Sequence, residues 1–132
     1  MKTKKTIILF AMILIFSLSL AACSPYKSSY VATMMVTTDL SDHASLEFWK
    51  MKGTKVFTLN SKSDDTELVW SGKVKEGSVT VYYDDDGTKK ELFTVTGNEE
   101  KSSSVDVSKG KTYIIIETDG ECETGAFSFY LE

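Results

Sequence analysis

Beyond its first 22 residues the chain alternates short apolar runs with clusters of Gly, Asp, Asn, Ser and Lys, and it shows no long helical periodicity. Nine runs can be read, at 30–38, 44–51, 54–60, 67–75, 78–84, 90–96, 104–107, 111–118 and 126–131. With up to two of them reduced to an edge or a loop, this predicts about seven to nine strands. Val79, Val81 and Tyr83 alternate with Thr80 and Tyr82, and Phe127, Phe129 and Leu131 alternate with Ser128 and Tyr130, as strands with one buried face require. Lys52-Gly53, Glu76-Gly77, Asp86-Gly87, Lys109-Gly110 and Asp119-Gly120 each place Gly where a reversal needs positive φ, which predicts hairpins. From Tyr113 to Ile116 the pattern is apolar on both parities, predicting a central strand covered on both sides, fed by a short strand holding Val105 and Val107. The expectation is an all-β domain over residues 30–132, a two-layer antiparallel β-sandwich following an N-terminal signal helix. A domain of this size buries about two-thirds of its unfolded surface, enough to fold without disulfides.

Residues 1–22 break the pattern. Lys2, Lys4 and Lys5 precede an uninterrupted apolar stretch from Ile7 to Phe16 and a small-residue end from Ser17 to Ala22, the three-part form of an export signal. The stretch is short of the roughly 20 residues a membrane span needs, so a removable leader is expected rather than a permanent span. Its end, Leu20-Ala21-Ala22-Cys23, resembles the lipobox of bacterial lipoproteins at all four positions. The resemblance implies acylation of the Cys23 thiol, cleavage before Cys23, and a protein anchored to the lipid bilayer on the extracytoplasmic face of the cell membrane. An ordinary secretory signal cut after Ala22 is the alternative. Two buried acyl chains hold a protein where one binds only marginally. Residues 23–29 are then the lipidated Cys and a short linker with a reach of about 20 Å.

Residues 72–131 resemble, more loosely, small uncharacterised lipoproteins and jelly-roll binding modules. Gly77-Ser78-Val79-Thr80-Val81, Asp86-Gly87, Val105-Asp106-Val107, the run Gly110–Glu117, and Gly125-Ala126-Phe127-Ser128-Phe129 carry that likeness. It implies a jelly-roll-like sandwich and no particular activity.

Charge narrows the partners. The 132-residue chain has 15 Lys plus Arg, all of them Lys, against 19 acids, for −4. Without Lys2, Lys4 and Lys5 the balance is 12 against 19, or −7, the wrong sign for nucleic acid and repulsive toward anionic lipid. With no Arg, bidentate recognition of phosphate or carboxylate is excluded.

Little in the composition favours catalysis. The single His, His43, stands in Ser41-Asp42-His43, but adjacent residues on one segment do not triangulate, and a polar loop is expected. Asp84-Asp85-Asp86-Gly87 departs from a calcium loop at Lys89 and reads as a solvated turn. One His and one spare Cys cannot make a zinc site, so no metal and no cofactor is expected. Cys122, between Glu121 and Glu123, reads as an inert loop thiol. The aromatics are more suggestive: with Leu46 and Phe48 facing inward, Trp49 and Met51 face outward, and Tyr82 and Tyr130 do the same. Trp49, Tyr82 and Tyr130 are therefore candidate ligand-binding residues, a platform for a sugar ring or an anchor for a protein, the alternative being that Trp49 and Trp70 belong to the core.

The function expected is a membrane-anchored, non-catalytic module binding an envelope protein or polysaccharide through its sheet face or loops. A structural or assembly subunit without a small ligand is the second reading. A small hydrolase is the third, and it would need two of Glu47, Glu67, Glu91 and Glu117 to converge about 5–10 Å apart.

Overall fold

The computed structural model of the chain describes residues 25–132, so the expected signal segment at 1–22 and the expected acylation site Cys23 lie outside the described residues. Seven strands follow in order: β1 Ser29–Thr33, β2 Val36–Asp39, β3 His43–Ser61, β4 Thr66–Asp84, β5 Lys90–Thr96, β6 Glu100–Val107 and β7 Gly110–Leu131. They pair antiparallel in the order β1-β3-β7-β4-β5, with β2 also on β3 and β6 also on β4. The all-β architecture expected from the sequence is the one observed.

Three expected hairpins are not hairpins. Gly53 (φ 126°), Gly77 (φ 97°) and Gly120 (φ 71°) do adopt positive φ, but the chain bends there and continues in the same strand. The runs at 44–51 and 54–60 merge into β3, those at 67–75 and 78–84 into β4, and those at 111–118 and 126–131 into β7. The bends share one level, because Met51 lies opposite Cys122, Thr54 opposite Glu117, and Ser78 opposite Asp119. Three neighbouring strands thus turn one corner together and fold a single sheet into two layers. The first layer runs β2, the first half of β3, the second half of β7, the first half of β4, and β6. The second runs the second half of β3, the first half of β7, the second half of β4, and β5. At the corner the alternation of β3 slips, so Met51, expected outward, is fully buried.

The corner gives a direct test of crowding. A Cβ on Gly77 would stand 2.6 Å from the Cys122 sulfur, whereas Gly87, at nearly the same φ of 98°, has open space around it. Gly77→Ala is expected to cost about 1–3 kcal/mol and Gly87→Ala distinctly less, read as a shift in denaturant midpoint.

Side chains from both layers fill one core. Trp70 of the first layer stacks on Phe93 of the second at 4.1 Å and 3°, and Phe93 also meets Phe127 and Phe129. Gly72 and Gly125 leave room for these rings: a Cβ on Gly72 would strike Phe93 and Phe127, and one on Gly125 would strike Phe48. β7 is the central strand predicted, and Ile115 is buried although it points away from the core, between Val56 and Tyr82.

The linker is shorter than expected. Tyr26 donates a 2.7 Å hydrogen bond to Asp84 and meets Tyr113 edge-on at 5.5 Å, while the Ser28 hydroxyl accepts from the Val56 amide. From Tyr26 onward the chain belongs to the domain, docked on the outside of the second layer.

Candidate functional site

The structure does not bring the three predicted aromatics together. Trp49 and Tyr130 are exposed on the outer side of the first layer, 53% and 41% accessible. They stand far apart there, since Tyr130 is opposite His43, six residues along β3 from Trp49, or about 20 Å. Tyr82 lies on the other layer, half-buried beneath the Lys89 ammonium at 4.2 Å. Trp70 is the core tryptophan.

What the first layer does assemble is a row of hydroxyls. Thr38 lies opposite Ser45, Ser45 opposite Ser128, Ser128 opposite Ser71, and Ser71 opposite Ser102, so one line crosses all five strands. At about 4.8 Å per strand the row is about 19 Å long. The next line on one side holds Val36, Glu47, Ala126, Lys73 and Glu100, and the next on the other holds His43, Tyr130, Val69 and Ser104. Small side chains on the floor and long ones at the rim make the face dished. Two depressions of about 320 and 450 Å³ lie side by side on it and share Ser71. Among the described residues, none of the five hydroxyls has a side-chain hydrogen-bond partner, and Glu47, Lys73 and Glu100 form no ion pair.

The outer face of the second layer is the reverse case, with its polar groups already engaged. Thr80 bonds Thr94, Ser78 bonds Thr96, and Lys89 pairs with Glu117 at 2.9 Å, while at the turn between β4 and β5 Lys90 pairs with Asp85 at 3.0 Å. The Asp84-Asp85-Asp86 turn is likewise occupied. Asp84 accepts from the Gly87 and Asp86 amides as well as from Tyr26, and Asp85 accepts from the Ser108 amide. Burial pulls the Asp84 pKa up, but the Tyr26, Gly87 and Asp86 hydrogen bonds outweigh it and hold the carboxyl below its ordinary value of 3.8. The hydrogen bond to Asp84, then burial, push the Tyr26 phenol from 10.0 to about 12.

The signs of these shifts set two pH windows. Tyr26 docks as the neutral phenol, so its stabilisation is complete below pH 10.0 and is lost as pH rises toward about 12. Asp84 stabilises as the carboxylate, present above pH 3.8 and lost as pH falls through its lowered value. In an ultraviolet phenolate titration one tyrosine is expected to ionise near 12, and Asp84→Asn to return it toward 10.0.

Other features named from sequence are placed as follows. His43 is not in a loop; it opens β3 beside Tyr130, with Nδ1 3.0 Å from Asp42, and belongs to the rim of the dished face. Cys122 is not in a loop either: it is fully buried at the corner on β7, its thiol donates to the Ser78 carbonyl at 3.3 Å, and burial pushes its pKa up. Glu47 and Glu67 share the first layer, but Glu47 lies opposite Ala126 and Glu67 bonds the backbone of Glu132, six residues farther along the chain, about 20 Å away. A third depression, of about 310 Å³, sits at the open end of the sandwich, where the Ser61 and Thr66 hydroxyls both already donate to the Ser63 carbonyl.

The serines do not stand out in the sequence. A signal for them exists, since Trp70-Ser71-Gly72 and Phe127-Ser128-Phe129 each put a hydroxyl on the outward parity between inward residues. That they line up depends on strand register.

No protein-family model matches the chain, and no curated protein matches its sequence. Among solved structures, the chain is similar to TmCBM61 in complex with beta-1,4-galactotriose, with 16% identity and a TM-score of 0.50 over 83% of this chain and 88% of that one. It overlays a point mutant of the family 29 carbohydrate-binding module CBM29-2, complexed with mannohexaose, at 15% identity and a TM-score of 0.42, over 83% and 82% of the two chains. It overlays the C-terminal CBM6 of LamC from Zobellia galactanivorans at 9% identity and a TM-score of 0.41, over 79% and 99%. The first of these overlays shows a shared β-sandwich fold.

Proposed function

We propose that the protein is a non-catalytic glycan-binding module, anchored to the extracytoplasmic face of the cell membrane through acylated Cys23, and that its ligand lies across the dished face of the first layer. The observation that carries this reading is the row Thr38, Ser45, Ser128, Ser71 and Ser102, five unpartnered hydroxyls on one line. Each hydroxyl donates once and accepts twice, matching the mixed character of sugar hydroxyls. Tyr130 offers a ring for an apolar sugar face, and Glu47, Lys73 and Glu100 add charge-assisted hydrogen bonds at the rim. The shared fold with a module solved on beta-1,4-galactotriose supports the same reading. Catalysis by paired carboxylates on this face is disfavoured, because Glu47 and Glu67 stand about 20 Å apart where hydrolysis needs about 5–10 Å.

The docked tether supports the anchored arrangement. Two residues, Ser24 and Pro25, separate Cys23 from Tyr26, a span of at most about 11 Å. An acyl group on Cys23 would therefore hold the second layer near the lipid and leave the dished face turned away from it. The test has two arms. Protein retained saturably by envelope polysaccharides and peptidoglycan, against no retention on any of them, decides the binding. Incorporation of labelled palmitate that Cys23→Ala removes, against label that is absent or indifferent to that change, decides the anchoring.

A further inference from the structure

The charges around the hydroxyl row are unbalanced. Glu47, Glu67, Glu100, Asp106 and Glu132 each stand two or four residues along their own segment from Ser45, Ser71, Ser102 or Ser128, so their side chains leave on the dished face. The same spacing places two ammonium groups there, Lys73 and Lys75, two and four residues beyond Ser71. Among the described residues none of these seven groups forms an ion pair. The two depressions divide the charges unequally. In the one of about 320 Å³, Lys73 stands in line with Glu47 and Glu100. The one of about 450 Å³ holds Glu67 and Glu132 together with Ser71, Ser102, Ser104 and Tyr130, and no lysine lines it. Lys73 is six residues from Glu67 along β4, about 20 Å away. Glu67 and Glu132 exchange backbone hydrogen bonds in both directions at 2.9 Å, which makes them a directly opposed antiparallel pair with Cα atoms about 5.5 Å apart. Two like charges so placed repel, and a cation between them relieves the repulsion.

We infer that the glycan taken by this face is an amino sugar chain whose amines are free, and that one sugar ammonium is held between Glu67 and Glu132. The inference rests on the reading of the dished face as the glycan site, which stands on the hydroxyl row; the carboxylates determine which glycan that site selects. A sugar ammonium carries three donors, and two carboxylates with a neighbouring serine hydroxyl supply three acceptors. Its hydrogen bonds to the carboxylates are charge-assisted, and the Tyr130 ring beside them offers a π face to the same cation. An N-acetylated amine is neutral and keeps one N–H, so it forgoes both gains. A uronic acid or a phosphate-bearing polymer brings a like charge into a concave surface where carboxylates outnumber ammonium groups, and such a surface concentrates the field of the majority sign.

The test titrates the full chain in detergent, followed by amide chemical shifts, with tetramers of glucosamine, of N-acetylglucosamine and of galacturonic acid, with beta-1,4-galactotriose as the neutral sugar and with spermine as a polyamine that is not a sugar. The glucosamine tetramer is expected to bind at least about tenfold tighter than its N-acetylated counterpart and than spermine, with shifts at Ser71, Ser104 and Tyr130, and the galacturonic acid tetramer not to bind. The preference should shrink as salt is raised, and Glu67→Gln combined with Glu132→Gln should abolish it. Equal affinity for the glucosamine and N-acetylglucosamine tetramers, tighter binding of the galacturonic acid tetramer, spermine matching the glucosamine tetramer, or a preference that survives the double substitution would each overturn the inference. In any of these cases shifts at Ser45 and Ser71 with galactotriose leave the glycan reading standing, whereas no saturable shift from any of the four sugars overturns that reading and the inference with it. Both substituted positions are at the surface and the change removes a like-charge pair, so a denaturant midpoint no lower than that of the wild type confirms that the double variant is folded.

Discussion

Phe93→Ala is expected to destabilise the domain by about 3–5 kcal/mol, a large share of the stability a domain of this size possesses. Phe93 stands on β5 and spans the sandwich, lying flat on Trp70 at 4.1 Å and within 6.5 Å of the Phe127 and Phe129 rings. Its ring also covers Gly72, whose missing side chain is the space it occupies. Removal leaves a void walled by two hydrogen-bonded layers, which cannot collapse to fill it, so the cavity term adds to the lost transfer energy. Denaturant unfolding followed by tryptophan fluorescence reads both terms, because Trp70 is 8% accessible and reports directly on the gap. A loss below about 1 kcal/mol would mean that the layers do not meet through this ring. Trp49→Ala, at a side chain 53% accessible, is the contrasting case, expected to change stability by no more than about 0.5 kcal/mol.

Ser71→Leu is expected to weaken glycan binding at least about tenfold while changing stability by less than about 1 kcal/mol. Ser71 is the residue both depressions share, in the hydroxyl row between Ser128 and Ser102. A leucine there fills the floor from within and removes one hydroxyl, yet it points away from the core and disturbs no internal contact. Tyr130→Ala removes only one stacking surface at the rim, worth about 0.5–1.5 kcal/mol, and is expected to weaken binding by no more than about tenfold. Retention on polysaccharide measured for both variants, at matched folding, separates a site centred on the floor from one centred on the aromatic rim.

The strands are legible in the sequence and their continuity is not. Alternation at Val79–Tyr83 and at Phe127–Leu131 marks the buried faces correctly, and the apolar run through Ile115 marks the central strand. A glycine of positive φ ends a strand or bends it, and the local residues of Gly53, Gly77 and Gly120 are the same in either case. The difference lies in what stands opposite, since each bend is supported by its neighbour in the sheet. The same limit hides the site. Serines 45, 71, 102 and 128 come from four strands that are distant in the chain, and only the register sets them on one line. Aromatic residues draw notice because they are chemically conspicuous, yet Tyr82 lies on the opposite layer and Trp49 stands at the far end of the face from Tyr130. The tether reads as free because Tyr26-Lys27-Ser28 is polar, whereas Asp84, 58 residues away, is what holds it.

The most direct test of the central claim is an amide chemical-shift map of isotope-labelled protein titrated with beta-1,4-galactotriose and with enzymatically released peptidoglycan fragments. The expected result is a saturable set of shifts from at least one of them, centred on Ser45, Ser71, Ser102 and Ser128 and spreading to Lys73 and Tyr130, with Thr80 and Thr94 of the second layer unmoved. Shifts confined to the second layer or to the depression around Ser61 and Thr66, or none with either sugar, would contradict it.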